Sequence, residues 1–308
     1  MEKAEKKIPQ KFANLELLAR QVVEGFITGM HKSPFHGFSV EFAEHRIYNP
    51  GESTRHIDWK LFGRTEKLFV KKYEEETNLR CQIIIDNSSS MHFPSYRNNK
   101  LPSKIGFAVE SAASLAYILR KQRDAVGLTV ISDKTEIHTP ARSSGTHHKL
   151  LISELEKLYS DNNIVTGKTT NAAKLLHEVA EKIHKRSLVV IFSDMIDNTS
   201  SKDGLFTALQ HLKHAKHEVI LFHVYEKNKE LDFDFDSKPT KFIDMETGQE
   251  LKLNPREIKE IYTKSVTEKF NEVRLKCMQY RIDFVEAEIN KGYQQVLLNF
   301  FAKRKAMF

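Results

Sequence analysis

Residues 80–90 read RCQIIIDNSSS, from Arg80 to Ser90. Four apolar residues with only Gln82 among them run into an acid, Asp86, and then into a serine-rich loop. A short apolar run without polar alternation is the mark of a strand covered on both faces, as in a parallel sheet. The same pattern returns at Ser187–Asp194 (SLVVIFSD), again ending in an acid. Strand-like text also occupies Asp124–Ser132, Glu218–Tyr225 and Arg281–Ile289, and Thr135–Thr139 suits an edge hairpin arm. Helical spacing predicts helices over Ser103–Gln122, His148–Tyr159, Thr170–His184, Leu205–Lys216 and Gln294–Arg304. Strands alternating with helices predict an α/β fold, with a doubly wound, mostly parallel sheet and helices on both faces.

Working outward, the α/β domain is expected over residues 79–308, with an insertion at about 227–280. That insertion contains a hairpin, Lys241–Leu253, turning at Thr247-Gly248. It also contains a long helix opened by Pro255, a residue suited to a first helical position. Residues 1–78 form the accessory region. They hold an amphipathic helix at Leu15–Met30, then short strands and turns from Ser33 to Glu76. Trp59, Phe62, Phe69 and Tyr73 are expected to make a small accessory core, with Arg55 and Asp58 as an ion pair holding it.

The chain has 308 residues, 40% of them hydrophobic and 29% charged, enough to bury a core of ordinary size. Its net charge is +7, but Lys and Arg are mixed with Asp and Glu throughout, with a short basic tail at Lys303-Arg304-Lys305. No basic stripe interleaved with aromatics stands out, which argues against specific nucleic-acid binding. Cys81 and Cys277 sit among apolar neighbours and are read as buried free thiols. The first residues, MEKAEKKIPQ, lack the apolar core of a signal peptide, and no stretch reaches the length of a membrane helix. These features predict a soluble, cytoplasmic protein.

In open α/β sheets, ligands gather at the carboxyl ends of the strands. Asp86 and Asp194 both stand at such ends. Ser88 and Ser90 follow Asp86 in a loop where all three can turn oxygens to one point. Taken alone, that loop is equally a plain turn with a helix N-cap. A threonine of Gly167-Lys168-Thr169-Thr170 supplies a further hydroxyl, Thr169 or Thr170. Hydroxyls with few carboxylates suit a hard cation, Mg²⁺ foremost, with Mn²⁺ or Ca²⁺ as alternatives, and leave a coordination position open. This is a binding chemistry rather than a catalytic one, and the chain is not expected to be an enzyme.

Asp86-x-Ser88-x-Ser90, then Thr169, then Asp194, resembles the metal-ion-dependent adhesion site of von Willebrand A domains. More specifically, HRIYNPGESTRHIDWKLFGRTEKLFVKKYEEE leading into IIIDNSSSM, with DMETGQEL downstream, resembles the bacterial "domain of unknown function 58" family. The likeness runs from about Gly37 to the C-terminus. Glu52 stands where the family often has Asp, and Asn87 is unusual within the loop. The resemblance implies that Asp86, Ser88, Ser90, Thr169 and Asp194 hold a divalent metal, with a client's carboxylate filling its open position. It also implies a MoxR-type AAA+ ATPase as partner, with this chain as adaptor or co-chaperone.

Two other readings compete. Gly167–Thr170 resembles the end of a P-loop, which would make the chain an NTPase, but Asn162 stands where that loop requires Gly. A scaffold with a vestigial metal site is the other. His138, His147 and His148 lack an acid or Cys at zinc-ligand spacing and are read as a solvated loop. Gly37-Phe38-Ser39-Val40 lacks the second glycine of a nucleophile elbow.

Overall fold

The computed structural model describes residues 41–49, 51, 54, 57–74, 79–94, 103–160, 172–195 and 204–305. The expected helix at Leu15–Met30 and the loop Gly167–Thr170 lie outside the described residues. Chain contacts divide the protein into two compact units, with a boundary between Leu79 and Arg80.

The smaller unit contains strand β1 (Glu41–Ile47), helix α1 (Trp59–Thr65) and strand β2 (Phe69–Glu74), with β1 and β2 antiparallel. Asp58 caps α1 by accepting hydrogen bonds from the backbone N–H groups of Lys60 and Leu61, at 3.0 and 3.1 Å. Ile57 is buried. The aromatic core expected here is corrected: Trp59 is 63% exposed and stacks edge-to-face on exposed Phe62. Both lie on a seven-residue helix that buries none of its residues. Arg55 lies outside the described residues.

The larger unit is built on a six-stranded sheet. Its strands are β3 (Arg80–Asp86), β4 (Ala125–Ile131), β5 (Thr135–Arg142), β6 (Leu188–Ser193), β7 (Glu218–Tyr225) and β10 (Asp283–Glu288). Their spatial order is β10-β7-β6-β3-β4-β5. All neighbouring pairs are parallel except β4–β5, where the edge strand turns back. Helices α2 (Lys104–Lys121), α3 (Gly145–Ser160), α4 (Ala172–Lys182), α5 (Gly204–His214), α6 (Pro255–Gln279) and α7 (Tyr293–Lys305) complete the unit. On one face Ile84, Val189, Ile191 and Leu221 pack with Leu176 and Val179 of α4, Leu209 and Leu212 of α5, and Cys277 of α6. On the other, Phe192 stacks on Phe222, which meets Phe300 of α7 edge-on. Covering both faces requires the unbroken Ile83-Ile84-Ile85 run, because no residue of β3 beyond Arg80 faces solvent.

The hairpin falls as expected, β8 (Thr240–Ile243) pairing β9 (Glu250–Leu253). It is held by aromatics: Phe233 packs on Phe242 and, at 4.3 Å between ring centres, on Tyr262 of α6. Cys81 and Cys277 are buried free thiols. Two polar readings need correction. His147 and His148 are buried at the start of α3 rather than solvated: the His147 ring meets the Val126 carbonyl at 3.0 Å, and the His148 ring meets Arg120. Arg304 is not part of a free tail. It is buried and paired with Asp283 at 3.0 Å and with Glu218.

Gly127, in the middle of β4, lies under the Gln82 side chain. A Cβ there would stand 2.3 Å from Gln82 Oε1 and 2.6 Å from the Thr139 carbonyl oxygen. Gln82 is itself held by hydrogen bonds to Thr129 Oγ1 and the Thr139 carbonyl, at 2.9 and 3.2 Å. Close backbone approach, not dihedral freedom, demands glycine. Gly127→Ala is therefore expected to lower unfolding free energy by about 1–3 kcal/mol, read by denaturant titration; a variant as stable as the parent would mean Gln82 is free to swing aside.

Candidate metal centre

The chain leaves β3 for β4 on one side and later returns as β6 on the other. The strand order thus reverses between β3 and β6, the position at whose carboxyl ends doubly wound sheets bind ligands. Asp86 is the last residue of β3, and Asp194 directly follows β6.

Three of the expected ligands meet in the loop after β3. Asp86 Oδ1 accepts from the Ser88 backbone N–H at 3.0 Å, and Ser88 Oγ lies 3.0 Å from Ser90 Oγ. Asp86 Oδ2 accepts from Ser193 Oγ at 2.7 Å, which ties the loop to the end of β6. Ser193 Oγ also accepts from the Met195 N–H at 2.9 Å. Met195 is held at φ 55°, in the left-handed region that a non-glycine residue occupies at a cost. The Asn87 side chain turns away, to Glu136 at 2.8 Å and His92 at 3.1 Å. Thr169 and its alternative Thr170 lie outside the described residues.

Burial, and then the neighbouring Asp194 carboxylate, push the Asp86 carboxyl up to about 7. Two buried acids this close repel, and a cation between them relieves the repulsion. The donor set of two carboxylates and two hydroxyls is all oxygen, which fits a hard divalent ion. Among the described residues, no group of three or more His, Cys, Asp and Glu is gathered for a metal.

The sequence reading missed Lys104. Its side chain is buried, and Nζ donates to Asp194 Oδ2 at 2.8 Å and to Glu230 Oε1 at 2.5 Å. Burial works to discharge this ammonium, but Asp194 and Glu230 outweigh it and hold its pKa above the ordinary lysine value. Glu230 lies on a π-helical turn, Lys227–Leu231, after β7. Its second oxygen accepts from the Glu226 N–H at 2.7 Å. The overlooked signal is position: Lys104 stands three and four residues before Phe107 and Ala108, on a fully buried helical stripe where a surface lysine has no place.

A family model described as "Protein of unknown function DUF58" matches residues 44–272. The chain belongs to the DUF58 family. It is 23% identical over 220 residues to uncharacterized proteins of Mycobacterium bovis and Mycobacterium tuberculosis, covering 71% of this chain and 66% of theirs. The match thus spans just under two thirds of the relatives' length. Among solved structures, it is similar to the conserved hypothetical protein BatB from Bacteroides thetaiotaomicron, with 14% identity, a TM-score of 0.45, and coverage of 74% of this chain and 99% of that one. An aerotolerance-related membrane protein from Bacteroides fragilis gives 14%, 0.44, 73% and 99%. The expected cytoplasmic location is corrected by these findings, since solved structures similar to this DUF58 chain are described as membrane proteins. Its sequence basis was the lack of an apolar span and of a signal peptide. Among the described residues no helix is long and apolar enough to cross a membrane.

His223, near the end of β7, is buried against Phe270 and Phe284, and among the described residues its Nδ1 has no hydrogen-bond partner. Burial pushes its imidazole down to about 4; Asp194 opposes this and Lys104 adds to it. The ring is neutral in the fold, while the unfolded chain binds a proton below about 6.5. The unfolded state therefore holds more protons, and this residue costs stability as pH falls from 6.5 towards 4. His223→Leu is expected to gain on the parent protein by roughly 3 kcal/mol across that window. Urea titrations at pH 7 and 4.5 measure it, and an equal gap at both pH values would refute it.

Proposed function

We propose that this DUF58 protein is a metal-dependent protein-binding module with a von Willebrand A-like domain. One observation carries the reading: Asp86, Ser88 and Ser90 share one loop at the end of β3, joined through Ser193 to the end of β6, where the strand order reverses. Asp86 and Asp194 are the charged ligands, Ser88 and Ser90 the neutral ones, and Thr169 supplies a further hydroxyl. The ion is Mg²⁺ or a similar divalent cation, and when bound it offers an open position to an anionic oxygen. A client's carboxylate takes that position. The strand order β5-β4-β3-β6-β7-β10, with its site at the reversal, is the order on which doubly wound folds bind ligands. The partner we propose is a MoxR-type AAA+ ATPase, with this chain as adaptor or co-chaperone. Lys104 favours one rival, a scaffold whose acids are neutralised from within.

The test joins stability to capture. An ion that binds only the folded state adds about 2.7 kcal/mol at a hundredfold excess over its Kd. For a domain of this size that raises the wild-type melting temperature by roughly 5–10 °C. Asp86→Ala is expected to lose this rise and to lose capture of the ATPase, while keeping its fold. Ser88→Ala and Ser90→Ala are expected to weaken both less, because water replaces a hydroxyl ligand. Equal capture by wild type and Asp86→Ala, indifferent to EDTA, would leave the scaffold reading in place.

A further inference from the structure

We infer that Lys104 is a tethered cation of this site: its ammonium neutralises Asp194 until a divalent ion arrives, then withdraws to Glu230 and gives Asp194 up. The inference rests on the metal-binding reading above and names how that site is regulated.

The argument begins with the two ends of the bridge. An ammonium has three donors and no acceptor, so it can serve two carboxylates at once. Here it does, at 2.8 Å to Asp194 and 2.5 Å to Glu230. The two carboxylates belong to different parts of the fold. Glu230 is fixed independently of the lysine, through the Glu226 backbone N–H and the π-helical turn whose first residue follows Glu226. Glu226 is pinned in turn by Asn290, at 2.6 Å. Asp194 directly follows β6, is buried, and acts by its charge on Asp86. One partner of the ammonium is thus built into the scaffold, and the other belongs to the ligand set.

Lys104 sets one positive charge against several buried or half-buried acids, Asp86, Asp194 and Glu230 among them, so the arrangement still attracts a cation. Asp86 accepts from neutral donors, Ser193 Oγ and the Ser88 N–H. The incoming ion therefore finds its first anionic ligand at Asp86 and competes with Lys104 only for Asp194. Binding and the lysine bridge are linked reciprocally, each weakening the other.

Titration calorimetry of the full chain with Mn²⁺ and Mg²⁺, with melting curves in EDTA, tests this. Lys104→Gln keeps a hydrogen-bonding amide and removes the charge. It is expected to bind the ion about tenfold more tightly or better and to melt lower in EDTA. Glu230→Gln leaves Lys104 with Asp194 alone and is expected to bind the ion more weakly than wild type. Should Lys104→Gln not fold, Glu230→Gln carries the test alone. Lys229→Gln is the control for charge acting through space: Lys229 lies on the same turn but bonds the Asp234 carbonyl. An equal gain from Lys229→Gln would overturn the tether. So would a Lys104→Gln protein that binds no tighter than a wild type that does bind, and there the metal reading survives. If none of the proteins binds either ion, both readings fall.

Discussion

The ammonium of Lys104 is the point on which the far end of this sheet is balanced. It is buried where α2 begins, and it reaches the end of β6 and the turn after β7. Breaking such a buried pair by removing one partner leaves a charge with nothing to face, typically at a cost of about 3–5 kcal/mol. Three elements far apart in sequence are therefore registered against one another by a single side chain. Removing the whole network would be a different matter, since apolar residues of the same volume often stabilise such a site. A purely structural sheet end thus has no need of these acids, and their presence at the strand-order reversal argues for a ligand.

The elements that could be read from the sequence are those whose burial writes a pattern. β3 and β6 are covered on both faces, so each is a run of apolar residues, and each run ends in polar residues that stay buried, Asp86 and Ser193. Asp86, Ser88, Ser90 and Asp194 were legible because they follow those ends. Lys104 and Glu230 were not. A lysine carries the presumption of an exposed side chain, and the π-helical turn holding Glu230 has no apolar period to announce it. Buried His147 and His148 were misread for a related reason. Their partners are the Val126 carbonyl and Arg120, supplied by elements distant in sequence, so no local text marks them as satisfied. Trp59 failed in the other direction. Aromatic residues are expected inside, yet a seven-residue helix has too few turns to bury one face of itself.

What the site gives up in stability indicates what it keeps in reserve. Burial, and then the charge of Asp194, push the Asp86 carboxyl up to about 7. Met195 is held in a left-handed backbone conformation beside it, by a hydrogen bond to the same serine that serves Asp86. Both features are costs that a sequence under selection for stability alone would shed. The repulsion and the strain sit close together, where the strand order reverses between β3 and β6. On the proposed metal-binding reading, a cation bound between Asp86 and Asp194 would convert the first cost into binding energy. Lys104 limits the cost while no ion is there. The affinity of the site is then the difference between what the acids gain from a divalent ion and what they already receive from the lysine, and that difference can be small enough for a partner's carboxylate to tip.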